Sequence, residues 1–217
     1  MSSRICILDY GMGNLRSVEK AFAHVGAQAT VTNDHEEIRG AAGIVLPGVG
    51  AFPKAMESIR RLGLDELIAE RLTLGVPMLG ICLGMQLLFE RSTELGGATG
   101  LGLLAGEVRP LDAPGLKVPQ IGWNAIAWKR ASRLCQGLPD PCGFYHVHSF
   151  APHPADPGDI LATAQYGTEF ATAVEREPVY GVQFHPEKSS AAGLRMLGNF
   201  VAVCAGHDLE LHSAAHP

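Results

Sequence analysis

Three times in its first 95 residues the chain runs a short apolar segment into a glycine-bearing turn and follows it with helically spaced apolar residues. The segments are RICIL at 4–8, AAGIVLPGVG at 41–50 and VPMLGI at 76–81. None alternates apolar with polar positions, so they read as strands buried on both faces. After the first, Leu15, Val18, Phe22 and Val25 recur at helical spacing and Gly26 supplies the stop. Phe52, Met56, Ile59 and Leu62 predict a second helix, residues 65–74 a third, and CLGMQLLFER after the last segment reads as helical too. A further strand is expected near 28–32.

Strands that alternate with helices in this way require a parallel sheet covered on both sides. The fold predicted is α/β: a flavodoxin-like open, mostly parallel twisted sheet with helices on both faces. From about residue 96 the texture changes. Gly and Pro are dense, and short, twisted strands are expected at 105–110, 117–122, 124–128, 143–148, 160–165, 170–175 and 179–184, adding short antiparallel strands to the fold in this second half. The segment APHPADPGD at 151–159 reads as a polar loop. A last helix, about 189–205, buries Leu194, Leu197, Val201 and Cys204. With no repeat and no linker, residues 1–205 form one domain and 206–217 a frayed tail.

Among 217 residues, 47% are hydrophobic and 18% charged, an ordinary globular balance, and the formal net charge is −5 without a Lys/Arg cluster. That argues against nucleic acid as a partner. No run approaches membrane-spanning length, and the apolar start ends at Asp9, too early for a signal-peptide core. The odd set of five cysteines, at 6, 82, 135, 142 and 204, has no CxxC spacing and suggests neither a disulfide framework nor a zinc site. No metal and no cofactor are expected, and a reducing cytoplasm is the simplest compartment.

In such a compartment a free thiol is available for chemistry. Cys82 lies in Gly80-Ile81-Cys82-Leu83-Gly84, between a predicted strand and a predicted helix. A nucleophile elbow needs that placement: a sharp turn lifts the side chain above the sheet, and small neighbours prevent clashes. The helix behind it favours negative charge at the sulfur, and the Leu83 N–H is placed for a developing oxyanion. The plainer reading is a small buried hydrophobe. Cys6, within an apolar strand, and Cys204, on an inward helix face, take that reading. Cys135 and Cys142 lie in a predicted loop with no base nearby.

A base is offered far along the chain by Tyr180-Gly181-Val182-Gln183-Phe184-His185-Pro186-Glu187. His185 and Glu187, two apart in an extended segment, point to one side, with Pro186 restricting the backbone between them. A carboxylate on one ring nitrogen fixes the tautomer and leaves the other free to take a thiol proton. An exposed His and a Glu near a helix start explain the pair equally well in isolation. Both segments follow sheet strands, however, and strand ends converge on one crevice in open α/β sheets. Pro47-Gly48-Val49-Gly50 reads as a turn, or, beside Cys82, as a second oxyanion donor through the N–H of Val49 or Gly50. Gly11-Met12-Gly13-Asn14 lacks the third glycine of a dinucleotide fingerprint, because Arg16 stands there.

Gly80-Ile81-Cys82-Leu83-Gly84-Met85-Gln86 together with Gly181-Val182-Gln183-Phe184-His185-Pro186-Glu187 resembles the class I (triad) glutamine amidotransferases. Asp9-Tyr10-Gly11-Met12-Gly13-Asn14-Leu15-Arg16-Ser17, Pro47-Gly48-Val49-Gly50-Ala51-Phe52, Ile121-Gly122-Trp123-Asn124 and His185-Pro186-Glu187-Lys188-Ser189-Ser190 narrow it to the glutaminases of histidine biosynthesis, over roughly residues 4–205. The resemblance implies a Cys82, His185, Glu187 triad acting on L-glutamine, with Gly50, Gln86, Glu94 and Ser149 holding the substrate. It also implies ammonia transfer to a (β/α)8-barrel cyclase subunit in a heterodimer, with Asn14, Trp123 and Asn124 at the interface. The cyclase then makes imidazole glycerol phosphate and an aminoimidazole carboxamide ribotide. The segment Phe144-Tyr145-His146-Val147-His148-Ser149-Phe150 departs from the family pattern by its extra His146 and by Phe150. A glutaminase of another pathway, or a stand-alone cysteine hydrolase of γ-glutamyl bonds, shares the triad chemistry.

Overall fold

The computed structural model describes residues 4–214, with side chains through residue 206. Its first half contains β1 (Arg4–Leu8), α1 (Leu15–His24), β2 (Gln28–Thr32), α2 (His35–Arg39), β3 (Gly43–Gly48), α3 (Phe52–Arg61), α4 (Leu64–Thr73), β4 (Met78–Cys82) and α5 (Leu83–Leu87). There follow β5 (Phe89–Ser92), β6 (Ala98–Thr99), β7 (Leu104–Pro110), β8 (Gln120–Trp128) and β9 (Cys142–His148). The chain closes with β10 (Phe150–Pro154), β11 (Ile160–Tyr166), β12 (Thr168–Arg176), β13 (Val179–Val182) and α6 (Ser190–Ala214).

A nine-stranded sheet runs β2-β1-β3-β4-β13-β12-β11-β8-β9. Its β2-β1-β3-β4-β13 part is parallel and the rest antiparallel. Strands β1, β3 and β4 are buried on both faces, as their unbroken apolar runs require. On one side Val18 and Phe22 of α1 pack with Met196, Leu197, Phe200 and Val203 of α6. On the other, Met56 and Ile59 of α3 and Leu64, Leu67 and Ile68 of α4 form a second cluster. This is the expected α/β architecture.

Several local expectations are corrected. The helix after Cys82 ends at Leu87, and Phe89–Ser92 is strand β5, held beside β7 in a separate four-stranded sheet ordered β10-β7-β5-β6. Residues 151–154 of the expected polar loop belong to β10; as an edge strand it tolerates Pro152 and Pro154. The two strands expected at 117–122 and 124–128 are one, β8, because Gly122 stays in register opposite His146. Cys142 is buried at the start of β9 rather than in a loop. The last helix continues through the expected tail to Ala214, since no proline interrupts it before Pro217; residues 215–217 lie outside the described residues.

The antiparallel half curls back over the carboxyl ends of the parallel strands. Although β9 is last in the sheet order, its Tyr145 carbonyl accepts the His185 N–H at 2.9 Å. Its Val147 carbonyl lies 3.7 Å from the Cys82 sulfur. That curl closes a cleft over the elbow.

Candidate active site

Cys82 ends β4 with φ 55° and ψ −111°, left-handed backbone that a non-glycine residue adopts at a cost of about 1–3 kcal/mol. The following helix can leave so sharply because its neighbours are glycines. A Cβ on Gly84 would collide with the Leu46 carbonyl of β3, and one on Gly80 would stand 2.7 Å from the Gly84 oxygen. The elbow therefore results from close backbone packing of α5 on β3 and β4.

The sulfur faces a cleft of about 300 Å³. Val49, Gly50, Cys82, Leu83, Gln86, Glu94, Ser149 and His185 line it, joined by Pro119, Val147, His148, Phe150 and Lys188. All the residues expected for the triad's nucleophile and base, for the oxyanion and for the substrate thus meet in one place. Glu187 stands directly behind.

His185 is buried, with Nδ1 at 2.8 Å from Glu187 Oε1, and shares the cleft with the Cys82 sulfur. Burial works against a charged ring, but the hydrogen bonds with Cys82 and Glu187, with their charges, outweigh it and raise the pKa to about 9. Glu187 has a nearly inaccessible side chain, and its second oxygen is buried without a hydrogen-bond partner. The arrangement can hold an imidazolium next to the sulfur and deliver its proton to a leaving group.

The substrate-binding candidates show how much of their hydrogen-bonding capacity is already used. Gln86 Nε2 donates to the Phe150 carbonyl at 3.1 Å and to Gln183 Oε1 at 3.0 Å. Both its hydrogens are committed, so only its oxygen is free for a ligand. Glu94 Oε2 accepts the Phe52 N–H at 2.8 Å, capping α3, and its other oxygen remains for the cleft. Tyr10 donates to the Pro47 carbonyl at 2.7 Å, tying down the strand that leads into Val49 and Gly50.

Two buried histidines lie behind the site. Burial, with His148 and His185 adding to it, holds His146 down to about 3, and burial with His185 holds His148 at about 4. Both are neutral near pH 7. His146 Nδ1 therefore donates to the Phe144 carbonyl, and Nε2 accepts from the Thr172 hydroxyl at 2.8 Å. The extra histidine is thus a satisfied core group among Phe170 and Phe184.

The three interface candidates occupy different settings. Trp123 is 58% exposed and makes an edge contact with Tyr145. Asn14 starts α1 but makes no side-chain cap. Asn124 donates to the Gln165 carbonyl at 3.0 Å, so its amide is committed within the sheet. Gln183, Val147, His148 and Lys188 also belong to the site; all four fall within segments quoted from the sequence, but none was assigned a role there.

A buried cysteine on a strained elbow, a carboxylate-bound histidine and a cleft lined by amide and carboxylate groups define a thiol hydrolase of the amidase type. Residues 6–204 match the glutamine amidotransferase class-I family, and the chain belongs to it. It is 50% identical over 196 residues to imidazole glycerol phosphate synthase subunit HisH of Moorella thermoacetica, covering 90% of this chain and 93% of that one. To the same subunit of Chlorobium luteolum it is 47% identical, covering 90% and 98%. Two solved structures share the fold. One is a putative GMP synthase subunit from Thermoplasma acidophilum (TM-score 0.75, 19% identity, 98% of each chain). The other is PurLQS from Thermotoga maritima (TM-score 0.73, 20% identity, 96% of this chain and 100% of that one).

Proposed function

We propose that the chain is the glutaminase subunit of a two-chain imidazole glycerol phosphate synthase, releasing ammonia from L-glutamine for a (β/α)8-barrel cyclase subunit. The observation that carries the chemistry is the Cys82 sulfur on its strained elbow beside a His185 bound 2.8 Å from Glu187. Relatives near 50% identity that are named as subunits of that synthase support the pathway.

In this reading the Cys82 proton passes to His185 before the attack, and the Sγ thiolate then adds to the side-chain carboxamide carbon. The N–H groups of Leu83 and of Val49 or Gly50 receive the developing oxyanion. His185 returns the proton to the departing nitrogen, ammonia leaves, and a γ-glutamyl thioester remains. Water activated by the then-neutral His185 hydrolyses it to glutamate. The free Gln86 oxygen takes the substrate ammonium, with Glu94 and Ser149 beside it.

The test is glutamine hydrolysis with and without the purified cyclase, supplied with its nucleotide ligand. Feeble turnover alone and a strong rise in the complex are expected. Equal turnover by the isolated chain points instead to a stand-alone hydrolase of γ-glutamyl bonds. Cys82→Ala abolishes hydrolysis and leaves subunit binding intact; retained hydrolysis removes Cys82 from the mechanism.

A further inference from the structure

Gln183 is fully buried just past the carboxyl end of β13, beneath the nucleophile. Its backbone N–H is satisfied by the Thr172 carbonyl at 2.8 Å. Its side-chain amide lies between two groups, Gln86 Nε2 at 3.0 Å from Oε1 and Cys82 Sγ at 3.7 Å from Nε2. Carboxamide orientation is decided by hydrogen-bonding partners, and here the partners leave one solution.

The chain of constraint starts at the Phe150 carbonyl, which can only accept. It already receives His148 Nδ1 at 2.8 Å. Gln86, 3.1 Å away, must therefore turn its NH2 toward that oxygen. The second hydrogen of the same NH2 meets Gln183, which must answer with its oxygen. The Gln183 NH2 is then left facing the sulfur. A backbone carbonyl in the curled-over half of the sheet thus aims an N–H at the nucleophile through two buried amides.

We propose that Gln183 is a dedicated hydrogen-bond donor to Cys82, positioning the sulfur and stabilising it as its proton departs. The need for such a group is visible in the surroundings. As a thiol, Cys82 donates to the Val147 carbonyl at 3.7 Å. Once the proton is on His185, that carbonyl faces negative charge with nothing to accept. Burial suppresses ionisation of the nearby Tyr10 hydroxyl, and the same charge on Cys82 adds to that effect. The Gln183 N–H is a neutral donor already in place, needing no reorganisation when charge develops.

The inference rests on Cys82 being the nucleophile, and one experiment separates the two claims. The full-length chain is treated with iodoacetamide across a pH series, and alkylation at each cysteine is followed by peptide mass spectrometry. His185, Glu187, Tyr10, His148, Glu94 and Lys188 surround Cys82 in every variant, so the difference between proteins isolates the amide. In the unmodified protein, Cys82 reacts faster than the other four cysteines; if it does not, the nucleophile assignment itself falls. In Gln183→Met, which keeps the volume and removes the donor, the pH midpoint for Cys82 moves up by about one unit, the scale of one hydrogen bond to a charged group. With the partner enzyme present, kcat for glutamine falls about tenfold while KM stays within about threefold, because the donor acts on the sulfur and not on bound glutamine. An unchanged midpoint in a Gln183→Met protein that melts like the parent overturns the proposal. If that variant does not melt cooperatively, Gln86→Met decides. It leaves Gln183 in place but frees its amide to turn, and a smaller upward shift supports the relay while no shift overturns it.

Discussion

At the scale of single residues, proton traffic depends on how His185 is charged. Its pKa is raised to about 9 from an ordinary 6.5, so imidazolium persists at neutral pH and holds the proton that ammonia needs to leave. Hydrolysis is therefore expected to hold through neutral pH and to fall as pH rises through about 9. Linkage gives stability the same sign. A raised histidine pKa contributes stability that is complete below about pH 6.5 and is lost as pH climbs through about 9. Glu187→Gln removes the carboxylate behind the ring. It should lower kcat by about a hundredfold or more and move the alkaline limb of both the rate and the stability profile to lower pH. A pH–rate series with parallel thermal melts reads both, and an alkaline limb that stays in place would remove Glu187 from the triad. Cys82, His185 and Glu187 were legible in the sequence because each belongs to a short motif with local geometry. The orientation of Gln183 was not, since it is set by Gln86 and Phe150, residues brought together only by strand pairing.

Among the elements, the same division between local and long-range information holds. Strands β1, β3 and β4 declare themselves by unbroken apolar runs, and α1 and α3 by helical spacing. Helix α2, five residues long, is too short for periodicity; its signal is Asp34, whose side chain accepts from the N–H groups of Glu36 and Glu37. Strand β5 carries Glu90 and Arg91, good helix formers, and becomes a strand because Phe89 and Arg91 pair with Leu104 and Glu107 of β7. The elbow itself depends on how closely α5 lies on β3. Gly84→Ala places a methyl group against the Leu46 carbonyl, which is backbone and cannot turn away. A loss of about 3 kcal/mol is expected, seen as a melting point lower by roughly 10 °C, with hydrolysis reduced as the elbow shifts. A variant melting within about 2 °C of the parent would mean that the helix has more room than this packing allows.

For the whole molecule, the active cleft adjoins a strip of exposed apolar residues. Pro119 lines the cleft, Val118 beside it is exposed, and Gln120 pairs with His148 at the cleft wall. From there Ile121 and Trp123, 64% and 58% exposed, continue along one face of β8. Val49, on the loop expected to supply an oxyanion N–H, is exposed as well. A protein that hands ammonia to a second enzyme must bring its cleft mouth against that enzyme, and an apolar rim with an aromatic anchor suits such a contact. The burial of the triad fits the same arrangement, because a partner seated on this rim reaches the Val49 loop before it reaches the sulfur. Trp123→Ala therefore separates assembly from folding. Trp123 is more than half exposed and its one ring–ring contact among the described residues is the edge contact with Tyr145, so the melting point of the isolated chain should move by no more than about 2 °C. Affinity for the cyclase should fall about thirtyfold, the effect of losing one aromatic anchor. Titration of the purified proteins measures the affinity. An unchanged affinity would place the contact elsewhere on the surface, and a large fall in melting point would make Trp123 a structural residue. Glutamine turnover at saturating partner then shows whether docking on this strip is also what drives the Val49–Gly50 peptide into its oxyanion-binding orientation: if it is, the variant regains parental kcat once fully bound.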